Sequence, residues 1–324
     1  MGVMDSGAHV GKETTYGTPV TPTRSYEAYA DGHKRQHEYL ESAGMRAGFH
    51  TMRSDRRRVV NMGAEGSMEV DVMNKGMGLL LQAAFGAPAI TTPGGGTNTR
   101  LHTYQSNAEG PTGESLTVVM DRAPVTGANI PFRYHGGKVT ELTLTQEVGA
   151  LLKATFGFDF EDETQDGGAV TPIYPAAVSP YGWPDCVVTV NAVATDSTTF
   201  SLTANNSLKT DRRLLRGNVL KKQPVRTAIP VYEGALGREF EDTTEYNRFV
   251  AGTIVPIVAT WTGTVIEAAL AFFLKVTLAA CQYTGESPEV TLGEVPMQPL
   301  PFKVLHNGTD PAIKVEYQTT DLAA

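Results

Sequence analysis

The sequence predicts a mainly β fold, organised as a single domain over residues 1–324, and three observations predict it. Glycine (33) and proline (19) are both frequent, which divides a chain into many turns and therefore many strands. Beyond residue 99 the chain reads as one strand-length apolar segment after another. No period of twenty to fifty residues recurs and no linker composition interrupts the chain, which excludes a solenoid or propeller.

The elements follow in order. Residues 12–23, KETTYGTPVTPT, are dense in Thr, Pro and Gly and suit an extended N-terminal arm, taken as 1–23. A short strand is expected at Arg24 to Ala30. Residues 31–60 are polar and basic with little hydrophobic periodicity, carrying Lys34, Arg35, Arg46, Arg53, Arg56, Arg57 and Arg58 against Asp31, Glu38, Glu41 and Asp55. They read as a loop, and a loop of that length inside a domain is usually functional. From Glu65 to Val72 the alternation is strict. Glu65, Ser67, Glu69 and Asp71 lie on one face and Met68, Val70 and Val72 on the other, a half-buried strand with an acidic outer face.

Asn74 then stands as a helix N-cap, and Met77, Leu80, Leu81 and Ala84 recur at helical spacing before Gly86-Ala87-Pro88, so one flanking α-helix is expected at about 74–85. A Gly/Thr-rich loop occupies Thr91 to Thr99. Strands are expected at Ser115 to Asp121, Ile130 to Tyr134, Val139 to Glu147, Leu151 to Phe160, Cys186 to Val190, Phe200 to Ala204, Ile254 to Thr262, Leu270 to Gln282 and Ile313 to Thr319. A second short helix fits Thr244 to Val250, and a Pro-broken extended arm fits Ser287 to Phe302. The stretches 91–112 and 163–210 read as elaborations on the domain.

Composition narrows the function classes. With 41% apolar and 19% charged residues the chain is an ordered globular protein. A net charge of −8 argues against a protein that binds nucleic acid by neutralising phosphates. Cys186 and Cys281 are far apart and form no CxxC pair, so free buried thiols are expected. No signal peptide is visible, and the apolar run Val265 to Ala280 is interrupted by Glu267 and Lys275 and too short to span a bilayer. The expected compartment is therefore a reducing cytoplasm, with no membrane partner.

Catalytic and metal-binding patterns are weak throughout. Gly7-Ala8-His9-Val10-Gly11-Lys12-Glu13 approaches a phosphate-binding loop but is one residue short between its glycines and has Glu where Ser or Thr must reach magnesium. His33 and His37 have a ligand-pair spacing, yet the intervening KRQ offers no general base, so two exposed histidines are expected. Asp159, Glu161, Asp162, Glu163 and Asp166 lack the spacing and turn glycine of a calcium loop. No GxSxG elbow occurs. No enzyme, cofactor or metal is expected.

Several segments together resemble one family. VGKETTYGTPVTPTR, MRAGFHTMRSDRRRVV, GSMEVDVMNKGMGLLLQAAFG, ESLTVVMDR, YHGGKVTELTLTQEVGALLKATF, TANNSLKTDRRLL, FEDTTEYNRFVAGT and LPFKVLHNGTDPAIKVEYQTTD look like tail tube proteins of long-tailed, siphovirus-type bacteriophages, especially of actinobacterial hosts. The match is in their joint order and is weak at about 88–112 and 163–198.

The resemblance implies a β-sandwich or partial barrel flanked by a helix, with the inner sheets of six subunits closing into a continuous β-barrel in a hexameric ring. It implies rings stacked into a hollow tube in the virion tail that conducts DNA during ejection. The implied partners are further copies of the chain, a tape measure protein in the lumen during assembly, a tail terminator and distal tail or baseplate proteins at the ends, and DNA in transit without specific binding. Arg46, Arg53, Asp55, Arg56, Arg57 and Arg58 are then candidates for an inter-subunit contact loop, since guanidinium forks pair with carboxylates and the subunit has an acid excess. Glu65, Glu69 and Asp71 are candidates for lumen-facing carboxylates that repel phosphate. The competing readings are another β-rich virion protein (terminator, baseplate or capsid decoration) and a carbohydrate-binding β-sandwich. The second would depend on Trp183 in the SPYGWPD turn, because Trp261 lies in an apolar strand and is expected in the core.

Overall fold

The computed structural model describes residues 5–106, 115–165, 168–285, 287–288, 292 and 295–324. In chain order the first part holds β1 (Gly7–Glu13), β2 (Arg24–Tyr26), β3 (Lys34–Glu41), β4 (Arg57–Asp71), α1 (Gly78–Phe85), β5 (Ala89–Thr91), β6 (Arg100–Gln105) and β7 (Ser115–Arg122). The middle holds β8 (Ile130–Glu147), β9 (Lys153–Phe160), β10 (Asp162–Thr164), β11 (Cys186–Val190), β12 (Val193–Thr195), β13 (Thr199–Asn205), β14 (Leu208–Lys209) and β15 (Val225–Arg226). The last part holds β16 (Val231–Glu239), α2 (Thr244–Ala251), β17 (Ile254–Glu267), β18 (Leu270–Tyr283), β19 (Met297–Leu305) and β20 (Ile313–Thr319). The chain is mainly β and every ladder between these strands is antiparallel.

One sheet runs β3-β4-β9-β8-β13-β16-β19, and a second runs β12-β11-β17-β18-β20-β6-β5. Strand β19 joins them: Met297–Lys303 pairs with β16, while Phe302–Leu305 pairs with β18. The inward faces meet where Phe200 of β13 packs edge-on against Trp261 of β17, ring centroids 5.7 Å apart. Met68, Leu142, Leu144, Phe156, Leu202, Ile257, Val276 and Val315 are all buried in this one core. Each such side chain contributes about 1.5–3 kcal/mol over leaving it exposed.

Alternation decides which face turns inward, and the expected strand Glu65 to Val72 behaves accordingly, with Met68, Val70 and Val72 buried. The imperfect alternation after Val139 is a bulge: Val139 opposes Phe158 and Glu141 opposes Gly157, leaving Thr140 unpaired between them. The two strands expected at 130–134 and 139–147 are one strand, β8, which turns from one sheet into another at Gly136, where φ is +67°. Its first half pairs with β7 and β10 in a side sheet that also carries β1 and β2.

Four expectations are corrected. The N-terminal arm contains β1, paired along its length with β7, so the backbone of the phosphate-loop-like segment is committed to a ladder. The stretch 31–60 is not a loop but most of a long hairpin, with β3 and the first half of β4 as its arms. The stretch 163–210 supplies β11 and β13, which sit inside the two main sheets. Ser287 to Phe302 is strand from Met297 onward. Within the candidate elaboration 91–112, residues 107–112 lie outside the described residues, as does Asp166 of the acidic cluster.

Helix α1 begins at Gly78, with Met77 rather than Asn74 at its N-cap. The Asn74 side chain instead accepts the Ser179 N–H at 3.0 Å. All eight residues of α1 are buried, so the helix is wrapped on every side and carries no solvent face. Helix α2 covers the expected second helix.

Candidate assembly surfaces

The hairpin arms are held by cross-strand pairs. Lys34 meets Glu65 at 3.0 Å and Arg57 meets Glu41 at 3.0 Å, with the Arg57 guanidinium 4.0 Å above the Tyr39 ring. Of the candidate contact residues, Arg57 and Arg58 stand on the arm of β4, while Arg46, Arg53, Asp55 and Arg56 belong to the tip. Arg53 grips Asp55 through two bonds of 2.8 Å, which lowers the Asp55 carboxyl from its ordinary value and raises the guanidinium. Arg46 and Arg53 both lie over the Phe49 ring. Every residue from Lys34 to Met52 is exposed, Met45 completely, and Phe49 and Met52 by about half. Three apolar side chains displayed this way are what a partner surface covers.

The hairpin root is braced by the excursion between β13 and β16. Arg213 donates to the carbonyl oxygens of Met62 and Val219, and the Met62 N–H donates to Val219. Lys221 reaches Asp159 on β9 in a buried ion pair. Burial nevertheless outweighs the ammonium and pushes the Asp159 carboxyl up to about 6.

The outward face of the first sheet is polar and continuous. Glu69 lies opposite Thr155, Thr155 opposite Thr143, Thr143 opposite Thr203, and Thr203 opposite Glu233. The adjacent row is Asp71, Lys153, Thr145, Ser201 and Ala235. Glu65, Glu69 and Asp71 share this face, each with a partner: Lys34 for Glu65, Lys153 for Glu69 at 2.7 Å, and the Tyr29 hydroxyl for Asp71 at 2.8 and 2.9 Å. The face is therefore hydroxyl-rich, with Glu65 and Glu69 ion-paired, rather than a bare acidic stripe. The lysines that neutralise it lie on β3 and β9, which no reading of β4 alone reveals.

Other sequence candidates resolve into structure. His33 is buried among Tyr134, Phe158 and Phe160, against the expectation of an exposed residue, while His37 is exposed. Gly66 makes room for it, since a Cβ there would stand 2.5 Å from the His33 ring. Ser25, His9 and Asp121 line up at 2.7 and 3.5 Å in the order of a hydrolytic triad. The serine oxygen, however, accepts the Ile173 N–H and the aspartate accepts the Val170 N–H, so these buried residues pin the 170–173 backbone. Cys281 is buried and Cys186 only partly so, both free. Among the described residues no group of His, Cys, Asp or Glu could hold a metal ion, and no helix is long and apolar enough to cross a membrane.

A family model described as phage tail tube protein matches residues 5–304, taking in the hairpin, the polar face and every strand before β20. The chain belongs to that family. It is accordingly a structural protein of the phage virion tail. No curated protein matches it.

Proposed function

We propose that the chain is the repeating subunit of a siphovirus-type tail tube, closing into hexameric rings that stack into a hollow conduit for DNA. The polar face of β4, β9, β8, β13 and β16 lines the lumen in this reading, the inner sheets of six subunits forming one barrel. The tape measure protein fills the lumen during assembly in the host cytoplasm, and terminator and distal tail proteins close the ends. The observation that carries the reading, beside family membership, is the β3–β4 hairpin. It leaves the body of the subunit with an exposed apolar and basic tip and, among the described residues, an outer β3 edge that pairs with no further strand, an arrangement suited to partners from other chains.

The polar face supports the lumen role. Hydroxyls and paired charges give passing phosphates neither a cationic surface to bind nor an apolar one to wet poorly. Arg46 and Arg56 at the tip supply planar forks for inter-subunit carboxylates, while the Arg53 fork is already closed on Asp55.

Negative-stain electron microscopy of the purified chain over a range of concentration and salt tests the proposal. Uniform hollow tubes with stacked rings are expected. A chain that stays monomeric at high concentration, even when seeded with distal tail complexes, would remove it.

A further inference from the structure

We propose that the hairpin tip of one copy seats in an acidic cleft at the opposite end of a second copy, so that subunits join head to tail. The inference rests on the assembly reading above and names the surface that completes it.

The register of the first sheet sets tip and cleft apart. Ala64 opposes Phe160 and Lys138 opposes Asp159, which places the hairpin root at the Lys138 end of β8. Residues Arg57 to Gly63 of β4 lie beyond the ladder with β9 and pair with β3, with one further backbone bridge, from Met62 to Leu220, among the described residues. They so overhang that end, an arm of about 23 Å at 3.3 Å per residue. At the other end of β8, Glu147 opposes Thr199 and Thr199 opposes Gly237. An open cleft of about 610 Å³ lies there. A tip that points away from its own cleft meets only that of another copy.

The two surfaces are complementary in kind. Residues 42–56 carry three arginines, Arg46, Arg53 and Arg56, against one acid, Asp55, together with exposed Met45, Phe49 and Met52. The cleft carries the carboxylates of Glu147, Asp196, Glu239 and Glu241, and no Lys or Arg lines it among the described residues. Glu241 is partly engaged by Arg238 at 3.6 Å. Beside the carboxylates stand Trp183, Val148 and Val187, each about half exposed. Trp183 supplies the large, rigid, desolvatable ring that anchors protein interfaces, and it is a natural face for an arginine or methionine side chain.

A contact between different patches at opposite ends of identical subunits does not close on itself. Each added copy brings a fresh tip and a fresh cleft, so the contact propagates along an axis.

The test uses the full chain. Met52→Cys combined with Val187→Cys is expected to give, on oxidation, a ladder of disulfide-linked multimers well beyond dimer. Both are made in a Cys186→Ser background, which removes the native thiol lining the cleft, and there either substitution alone should give none of it. Glu147→Lys with Glu239→Lys is expected to raise the concentration at which tubes appear by about tenfold or more, and adding Arg46→Glu with Arg56→Glu to restore assembly. Circular dichroism and melting of the unassembled variants check that they fold. If wild-type tubes form but the ladder is absent and the charge reversals change nothing, the cleft assignment is wrong while the tube reading stands. If wild-type protein forms no assembly at all, both fall together.

Discussion

The indole N–H of Trp261 donates to the side-chain oxygen of Gln146 at 3.0 Å, a polar bond buried between the two main sheets. Gln146 is thereby fixed as a donor through its nitrogen, which bonds the carbonyls of Glu147 and Ala150 at the turn after β8. Core packing and turn geometry are thus tied at one residue. Gln146→Leu is expected to cost about 1–3 kcal/mol, because it strands a buried donor and two carbonyls. Urea unfolding followed by tryptophan fluorescence measures it, and a variant as stable as the parent would show that water replaces the amide.

Strands with one buried face were legible because alternation is the imprint of such a face: Cys186 to Val190 and Ile313 to Thr319 have the expected bounds. Strand β3 was illegible for the same reason, since Lys34–Glu41 is exposed at every position and has no face to alternate. Strand β16 was hidden by its glycines. At Gly234 a Cβ would stand 2.4 Å from both the Phe302 ring and the Ser201 carbonyl, so the glycine is a packing requirement inside a strand. Strand β19 was hidden by Pro299 and Pro301. The Pro301 carbonyl accepts the Thr284 N–H, so both proline nitrogens face away from the ladder with β16 and remove no bond from it. The candidate contact arginines could be named from composition, but the cleft proposed to receive them could not, because Glu147, Trp183 and Glu239 are brought together only by the fold.

The Lys221–Asp159 pair predicts a pH-dependent cost. The folded-state carboxyl is raised from 3.8 to about 6, so in that window the native state binds more protons than the unfolded chain. This group therefore lowers stability as pH rises through the window. Lys221→Met removes the cation that offsets the buried charge, and is expected to cost about 3–5 kcal/mol at pH 8. The loss should shrink at pH 5, where the carboxyl is protonated. Denaturant unfolding at the two pH values decides it, and an equal loss at both would exclude a charged Asp159 as the cause.

Glu267 holds the 97–99 segment through the N–H groups of Thr97, Asn98 and Thr99 and the hydroxyls of Thr97 and Thr99. These donors hold its carboxyl down at about 2. A depressed carboxylate contributes stability that is fully present above its unfolded value and lost as pH falls through the folded one. Glu267→Gln is expected to speed amide hydrogen exchange at Thr97 to Thr99 at neutral pH and leave the core strands protected. Unchanged exchange at those amides would mean the segment is ordered by something else.

Arg56→Glu with Arg57→Glu addresses the hairpin as an arm. The first substitution reverses a tip charge; the second puts a carboxylate opposite Glu41 and removes the cation over Tyr39. Both lie outside the buried core, so the melting temperature of the subunit is expected to change little. Polymerisation, followed by light scattering and microscopy, is expected to fall sharply. Normal tubes from the double variant would exclude these two arginines from the contact.

The lumen reading makes a prediction about access. Thr143 and Thr203 stand with their hydroxyls 3.2 Å apart in the middle of the polar face. A thiol at Thr203→Cys would therefore open onto whatever space that face adjoins. In the unassembled subunit it is expected to react with both a small maleimide and one carried on a polymer too wide for the channel. In assembled tubes the small reagent should still react, diffusing in along the bore, while the wide one is refused. Wild-type tubes control for partly buried Cys186. Equal reaction with the wide reagent before and after assembly would put the face on the outside of the tube, and its hydroxyl rows would then face solvent rather than DNA.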